Sequence, residues 1–165
     1  MRKQIATFGL GESVFGIDVL LIKEISRIAE LTPIPEAQDG LVGLMNLRGQ
    51  IVTVFDLSKI LDYHSSNDKG GERVFIVKTQ PEIEPFITAN LIANTTTSND
   101  PAAFMIDTIE DVLEIDESEI LPPPANQGGL DRELLSGVLK IENEIIPLLD
   151  LEVIINKTKT KSINK

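Results

Sequence analysis

Residues 42–57, VGLMNLRGQIVTVFDL, are echoed by residues 136–151, SGVLKIENEIIPLLDL. Such self-similarity constrains the chain more than any single motif, because one backbone plan has to suit both copies. Gly43 and Gly137, Ile51 and Ile145, Asp56 and Asp150, Leu57 and Leu151 are identical at a constant offset of 94 (137 − 43). Most other apolar positions are apolar in both. Each copy has a polar turn at the same place, Leu47-Arg48-Gly49-Gln50 and Ile141-Glu142-Asn143-Glu144. Each ends in Asp-Leu before a short apolar helix, expected at Leu57–Leu61 and Leu151–Ile155.

The match continues upstream. Phe15-Gly16-Ile17-Asp18 corresponds to Phe104-Met105-Ile106-Asp107, and Thr32-Pro33-Ile34-Pro35 to Leu121-Pro122-Pro123-Pro124, both at an offset of 89 (104 − 15). The second copy therefore carries five extra residues (94 − 89), expected within Asn126–Glu133. The repeated unit reads as a strand, a short helical turn, a strand, a Pro-rich crossing, then a hairpin and a capped helix. Lys3–Leu10 and Val14–Ile17 form the first hairpin, broken by Gly11-Glu12. Asp18 caps one or two helical turns through Val19, Ile22, Lys23 and Ser26. Arg48-Gly49-Gln50 closes the hairpin Leu41–Leu47/Ile51–Phe55, with Gly49 where positive φ is needed.

Five short strands that close on themselves remove exposed sheet edges. The expected fold is mostly β, two small five-stranded SH3-like barrels with short helical turns. The first repeat is placed at about 13–78 and the second at about 102–155, with strand 3–10 shared, giving one domain over 1–156. Between them, Pro81–Asp100 holds two prolines and a Thr/Asn/Ser run. It reads as a mostly mobile loop with a small hairpin around Phe86–Ile92. Residues 157–165 carry four lysines, no acid and little to bury, and read as a disordered basic tail.

Composition narrows the function. Net charge is −11, so free nucleic acid and anionic membrane surfaces are poor partners. There is no cysteine, which excludes disulfides and thiolate chemistry. No apolar run reaches the roughly 18 residues of a membrane span, and the N-terminus lacks a signal-peptide core, so a cytoplasmic protein without direct membrane insertion is expected. His64 is the sole histidine and sits in a polar loop, Ser65–Gly71 following it. Asp56 at a strand end suggests a phospho-acceptor, but its twin Asp150 favours helix capping for both. Gly70-Gly71 precedes a strand and makes no phosphate loop, and the acidic clusters lack calcium-loop spacing. No catalytic residue, metal site or cofactor is expected.

Several motifs in order carry a resemblance. Glu12-x-x-Phe15-Gly16-Ile17-Asp18-Val19, Glu24-Ile25, Ile34-Pro35, Gly43-Leu44-Met45-Asn46-Leu47-Arg48-Gly49 and Val54-Phe55-Asp56-Leu57 resemble the CheW-like chemotaxis adaptor family over about residues 4–155. The resemblance implies two intertwined barrels and a non-catalytic scaffold. Its partners would be a chemoreceptor signalling tip and the regulatory domain of a histidine autokinase, in arrays beneath the membrane. Candidate receptor contacts are Ile22, Gly43 and Asn46. Gly43 would admit a helix close to the backbone in an inter-barrel groove. Candidate kinase-binding or surface-ordering residues are Glu24, Arg48 and Gly49. Arg48 is singled out because its counterpart is Glu142, so barrel geometry does not demand arginine, and it is expected to pair with Glu24. Gln38 and Gly40 depart from the family's usual Pro and aromatic, and the segment at 81–100 departs from a short turn. The competing readings are a same-fold kinase regulator that does not bridge to receptors, an adaptor for surface motility, a phosphorylatable response protein, for whose receiver domain 165 residues are expected to leave no room, and an SH3-like peptide reader. The last is disfavoured by the lack of aromatics.

Overall fold

The computed structural model describes residues 1–28, 30–35, 38–63, 73–125 and 131–163. His64, the Ser65–Gly71 loop and residues 126–130 of the second-copy insertion lie outside the described residues. The elements are β1 (Arg2–Leu10), β2 (Ser13–Asp18), β3 (Ile22–Arg27), β4 (Leu31–Thr32), β5 (Leu41–Leu47), β6 (Gln50–Asp56), α1 (Leu57–Ile60) and β7 (Arg73–Val77). They continue with α2 (Gln80–Thr88), β8 (Ala102–Ile106), β9 (Thr108–Asp116), β10 (Leu135–Ile141), β11 (Glu144–Leu149) and α3 (Leu151–Ile163).

Two sheets form, ordered β3-β7-β8-β6-β5-β4 and β10-β11-β2-β1-β9. Each is a barrel assembled from both repeats. The hairpin β1–β2 joins β9, β10 and β11, while β7–β8 joins β3 to β6. The exchange is reciprocal. β2 lies parallel to β11 through Gly16 and Leu148, and β8 lies parallel to β6 through Phe104 and Phe55. The repeat limits read from sequence therefore do not coincide with the barrels: residues 13–18 belong to the second barrel and 102–106 to the first. β7 is the structural counterpart of β1, since each pairs with the next strand and with the one that follows the crossover. The crossovers are marked by the matched aspartates. Asp18 Oδ1 accepts from the Leu20 amide at 2.9 Å, and Asp107 Oδ2 accepts from the Gly11 amide at 2.6 Å.

Strand alternation explains why the barrels hold together. On β7, Val74 and Ile76 point into the first barrel, and Phe75 and Val77 point out of it into a shared core. Ala103 and Phe104 divide the same way on β8, and Val54 and Phe55 on β6. The second barrel encloses Ile5, Ile115, Leu139, Ile146 and Leu148. Between the barrels runs a continuous row of rings, Tyr63–Phe15–Phe8–Phe75–Phe104–Phe55, with neighbouring centroids 5.4–6.2 Å apart. The scarce aromatics are thus concentrated at the junction, where each fully buried ring contributes roughly 1.5–3 kcal/mol.

Three local expectations change. The helical stretch after Asp18 is a single 3-10 turn, Val19–Leu21, and Ile22 already begins β3, so Lys23 and Ser26 are strand residues. Residues 81–100 are not a mobile loop with a hairpin. Gln80–Thr88 is helical, Ile83 is fully buried, and Ile92 and Thr97 are buried as well. Pro81 sits in the first turn, where its missing amide costs nothing. Glu82 accepts from the Thr79 amide at 2.8 Å and hydroxyl at 2.9 Å, at the Thr-x-x-Glu spacing of a capping box. Nor is the chain disordered from 157: α3 runs to Ile163. Leu151, Ile154, Ile155 and Thr158 are buried at helical spacing, and Thr158 carbonyl oxygen accepts from Gln38 Nε2 at 3.2 Å.

Candidate functional site

The β5–β6 hairpin places the residues singled out by the sequence. Its two central residues are both left-handed, Arg48 at φ 51° and Gly49 at φ 84°. This geometry matches the right-handed twist of the flanking strands. Asn46 Oδ1 accepts from the Gly49 amide at 2.9 Å and so closes the turn. Glu142, the counterpart of Arg48, is left-handed too, at φ 55°. A non-glycine residue there costs about 1–2 kcal/mol. Both copies bear that strain, so backbone shape is a property of the fold, and the choice of arginine is not.

The Arg48 guanidinium reaches across to β3 and forks onto Glu24. Nη1 donates to Oε2 at 2.7 Å and Nη2 to Oε1 at 2.9 Å. β3 and the β5–β6 hairpin share no backbone ladder, so this bidentate pair bridges strands that the sheet leaves unconnected. Hydrogen bonding from Arg48 holds the Glu24 carboxyl below its usual range, against a partial opposing effect of burial. Arg48 is raised in turn, first by the same hydrogen bonds. The Arg48 side chain is 72% exposed and that of Glu24 24%, so the pair is presented on the surface.

Next to it on β3, Lys23 Nζ meets Glu82 Oε2 of α2 at 2.9 Å. A small cleft of about 90 Å³ between the two ion pairs is lined by Lys23, Glu24, Arg48, Ile76, Glu82 and Pro101. The apolar residues Ile25 and Ile51 are exposed on β3 and β6, Ile51 lying opposite Asn46. Lys23, Glu82 and Ile51 were not singled out from the sequence. The Thr79-x-x-Glu82 spacing was the available signal for the helix that brings Glu82 there.

Of the other candidates, Ile22 opens β3 and is half-buried against the inter-barrel core. Gly43 is not beside it: β7, β8 and β6 separate their strands. Gly43 is buried, and a Cβ there would stand 2.5 Å from the Thr32 carbonyl oxygen, so its missing side chain makes room for β4 and not for a partner. Gly137 repeats this, its Cβ position 2.9 Å from the Leu121 carbonyl oxygen, where Leu121 bridges Val138 as β4 bridges β5. Asp56 Oδ1 accepts from the Ser58 amide at 3.0 Å, and Asp150 Oδ1 from the Val153 amide at 3.3 Å, both as helix caps. Gln38 lies against α3, and Gly40, at φ 94°, has its carbonyl oxygen hydrogen-bonded by the Asp56 amide at 2.7 Å. Among the described residues no helix is long and apolar enough to cross a membrane.

Comparison with known proteins agrees with this geometry. Residues 4–159 match the CheW-like domain family. The chain is 24% identical over 160 residues to the chemotaxis protein CheW of Treponema pallidum, covering 97% of this chain and 86% of the relative. It is 25% identical over 159 residues to the CheW of Thermotoga maritima, covering 96% and 91%. The crystal structure of the scaffolding protein TtCheW from Thermoanaerobacter tengcongensis superposes with a TM-score of 0.73 at 26% identity, covering 93% of this chain and 88% of that one. With its matched repeats, its exchanged hairpins and this match over nearly its whole length, the chain belongs to the CheW-like domain family.

Proposed function

We propose that this chain is a non-enzymatic scaffold that couples chemoreceptors to a histidine autokinase in chemosensory signalling. The observation that carries the reading is the family match across residues 4–159, on a fold shared with the scaffolding protein TtCheW. The chain works in the cytoplasm, beneath membrane receptors whose signalling tips are helical. Two barrels built on one plan but diverged in surface offer two different binding faces. Each contact is weak, and a lattice of them gains strength through effective concentration.

The receptor face is assigned to Ile22 and its surroundings at the start of β3. The kinase face is assigned to the Arg48–Glu24 pair with Gly49; Asn46, expected on the receptor side, is moved to this face because it closes the Arg48–Gly49 turn. Arg48 presents a fixed positive fork beside exposed Ile51, a combination suited to an interface anchor with a charged rim. Gly43 acts beneath this surface by seating β4. The test is reconstitution. A chemotaxis histidine autokinase is assayed for autophosphorylation with a receptor signalling fragment, with and without the chain. A scaffold raises receptor-dependent phosphorylation; no change in kinase activity and no co-sedimentation with receptor overturns the reading.

A further inference from the structure

The insertion at 79–101 is built onto both barrels and fills a definite site. From α2, Ile83, Phe86 and Ile87 enter the inter-barrel core at i, i+3, i+4 spacing, beside Val19, Leu20 and Ile22. Three lysines surround the site in a chain of net charge −11, and the insertion engages each. Lys23 pairs with Glu82 at 2.9 Å, Lys78 lies 4.1 Å over the Phe86 ring, and Lys3 donates to the Leu91 carbonyl at 3.4 Å while pairing with Asp18. Gln80 ties the returning segment down, accepting from the Thr97 amide at 2.6 Å. Glu152 of α3 accepts from the Thr96 amide at 2.8 Å. Yet Ile92–Thr95 leave a cleft of about 300 Å³ against the second barrel, so the far end of the insertion is less tightly seated than α2.

We infer that the Val19–Lys23 face is a docking groove for an acidic amphipathic helix, and that α2 occupies it in cis as a built-in competitor. The partner helix presents apolar residues at i, i+3, i+4 and a carboxylate toward Lys23, as α2 does with Ile83, Phe86, Ile87 and Glu82. This rests on the assignment of the Ile22 face to a partner helix, and it adds that access to that face is regulated by release of α2. A tethered helix competes at an effective concentration of about millimolar, so it suppresses weak partners and yields to a clustered one.

The groove is tested without any receptor. Val77 and Ala102 are paired neighbours, so residues 80–99 are replaced by a short Gly-Ser turn that leaves β7 and β8 adjacent. The probe is a covalently helix-locked peptide of sequence 79–92, with a charge-reversed version carrying Lys at its two glutamates. The shortened chain is expected to bind the acidic peptide at least about 10-fold more tightly than the full chain does, and to bind the reversed peptide weakly. Equal affinity of both chains, or indifference to peptide charge, overturns the inference. Should the shortened chain fail to fold, Ile83→Asp in the full chain replaces it. That change releases α2 and is expected to raise peptide affinity and speed amide exchange at Leu20–Lys23. Unchanged exchange and affinity there also overturn it. Peptide binding with no binding of a receptor signalling fragment would leave the groove standing and remove the receptor assignment alone.

Discussion

Gly43→Ala separates a packing role from a contact role. The added Cβ would stand 2.5 Å from the Thr32 carbonyl oxygen and 3.1 Å from its carbon, both backbone atoms that no rotamer change can move. Carbon–oxygen contacts settle at about 3.3 Å or more, so β4 must retreat by about 0.8 Å. β4 is held by only two pairings, Leu31 with Met45 and Thr32 with Leu44, and Pro33 follows at once. Gly43 does not have positive φ, so no conformational strain adds to the clash. Overpacking of this kind costs about 1–3 kcal/mol. With an unfolding entropy of about 0.35 kcal/mol/K for a chain of this length, Tm falls by about 3–9 °C. Thermal melting by circular dichroism measures it, and receptor and kinase binding are then compared well below the melt. Gly49→Ala is the control: nothing lies within 4 Å of its Cβ position, so only its φ of 84° matters. The reasoning is refuted if Gly43→Ala melts within about 1 °C of the parent while losing a partner.

Other outcomes follow from the same structure. Arg48→Ala should shift Tm by less than about 3 °C, because the pair is exposed, while weakening kinase binding measured by titration; a large Tm loss with both affinities intact would make the pair structural. Ile83→Ala removes three buried carbons and should cost about 2–5 kcal/mol where α2 stays docked. Hydrogen exchange should show that loss first in 79–92 and only later in β7. The Glu82 carboxyl is lowered although burial, the largest single influence, raises it; bonds from Thr79 and Lys23 together prevail. A depressed folded pKa stabilises α2 above the ordinary carboxylate range and loses that stabilisation as pH falls through the depressed value. Amide protection in α2 should therefore drop on acidification through and below the ordinary glutamate range, and Glu82→Gln should flatten the response.

The repeat, the strands, the capping aspartates and the polar turns were legible because each is a local pattern. Period-two alternation, Asp before an apolar helix and Gly49 in a two-residue turn act within a few residues of themselves. The Arg48–Glu24 pairing was legible too, since Arg48 differs from Glu142 while the surrounding pattern is kept. The proline at 81 misled, because proline ends a helix interior but suits its first turn, and the distinction depends on where the helix begins; Pro85 does stand inside the helix, where packing of Ile83, Phe86 and Ile87 outweighs the backbone bond it gives up. The lysines at the C-terminus likewise hid a buried stripe running from Leu151 to Thr158.

Only the tertiary structure decided which barrel each strand enters. The hairpins β1–β2 and β7–β8 have the same backbone hydrogen-bonding capacity in either barrel, so strand pattern cannot choose between them. The choice falls to long-range packing, in which Phe8 and Phe15 from one hairpin meet Phe75 and Phe104 from the other across the junction. The same packing buries Gly43 under Thr32 and lays α2 beside Ile22. By itself the sequence determined that one unit was used twice; the contacts between the two units determined what each copy shows to a partner.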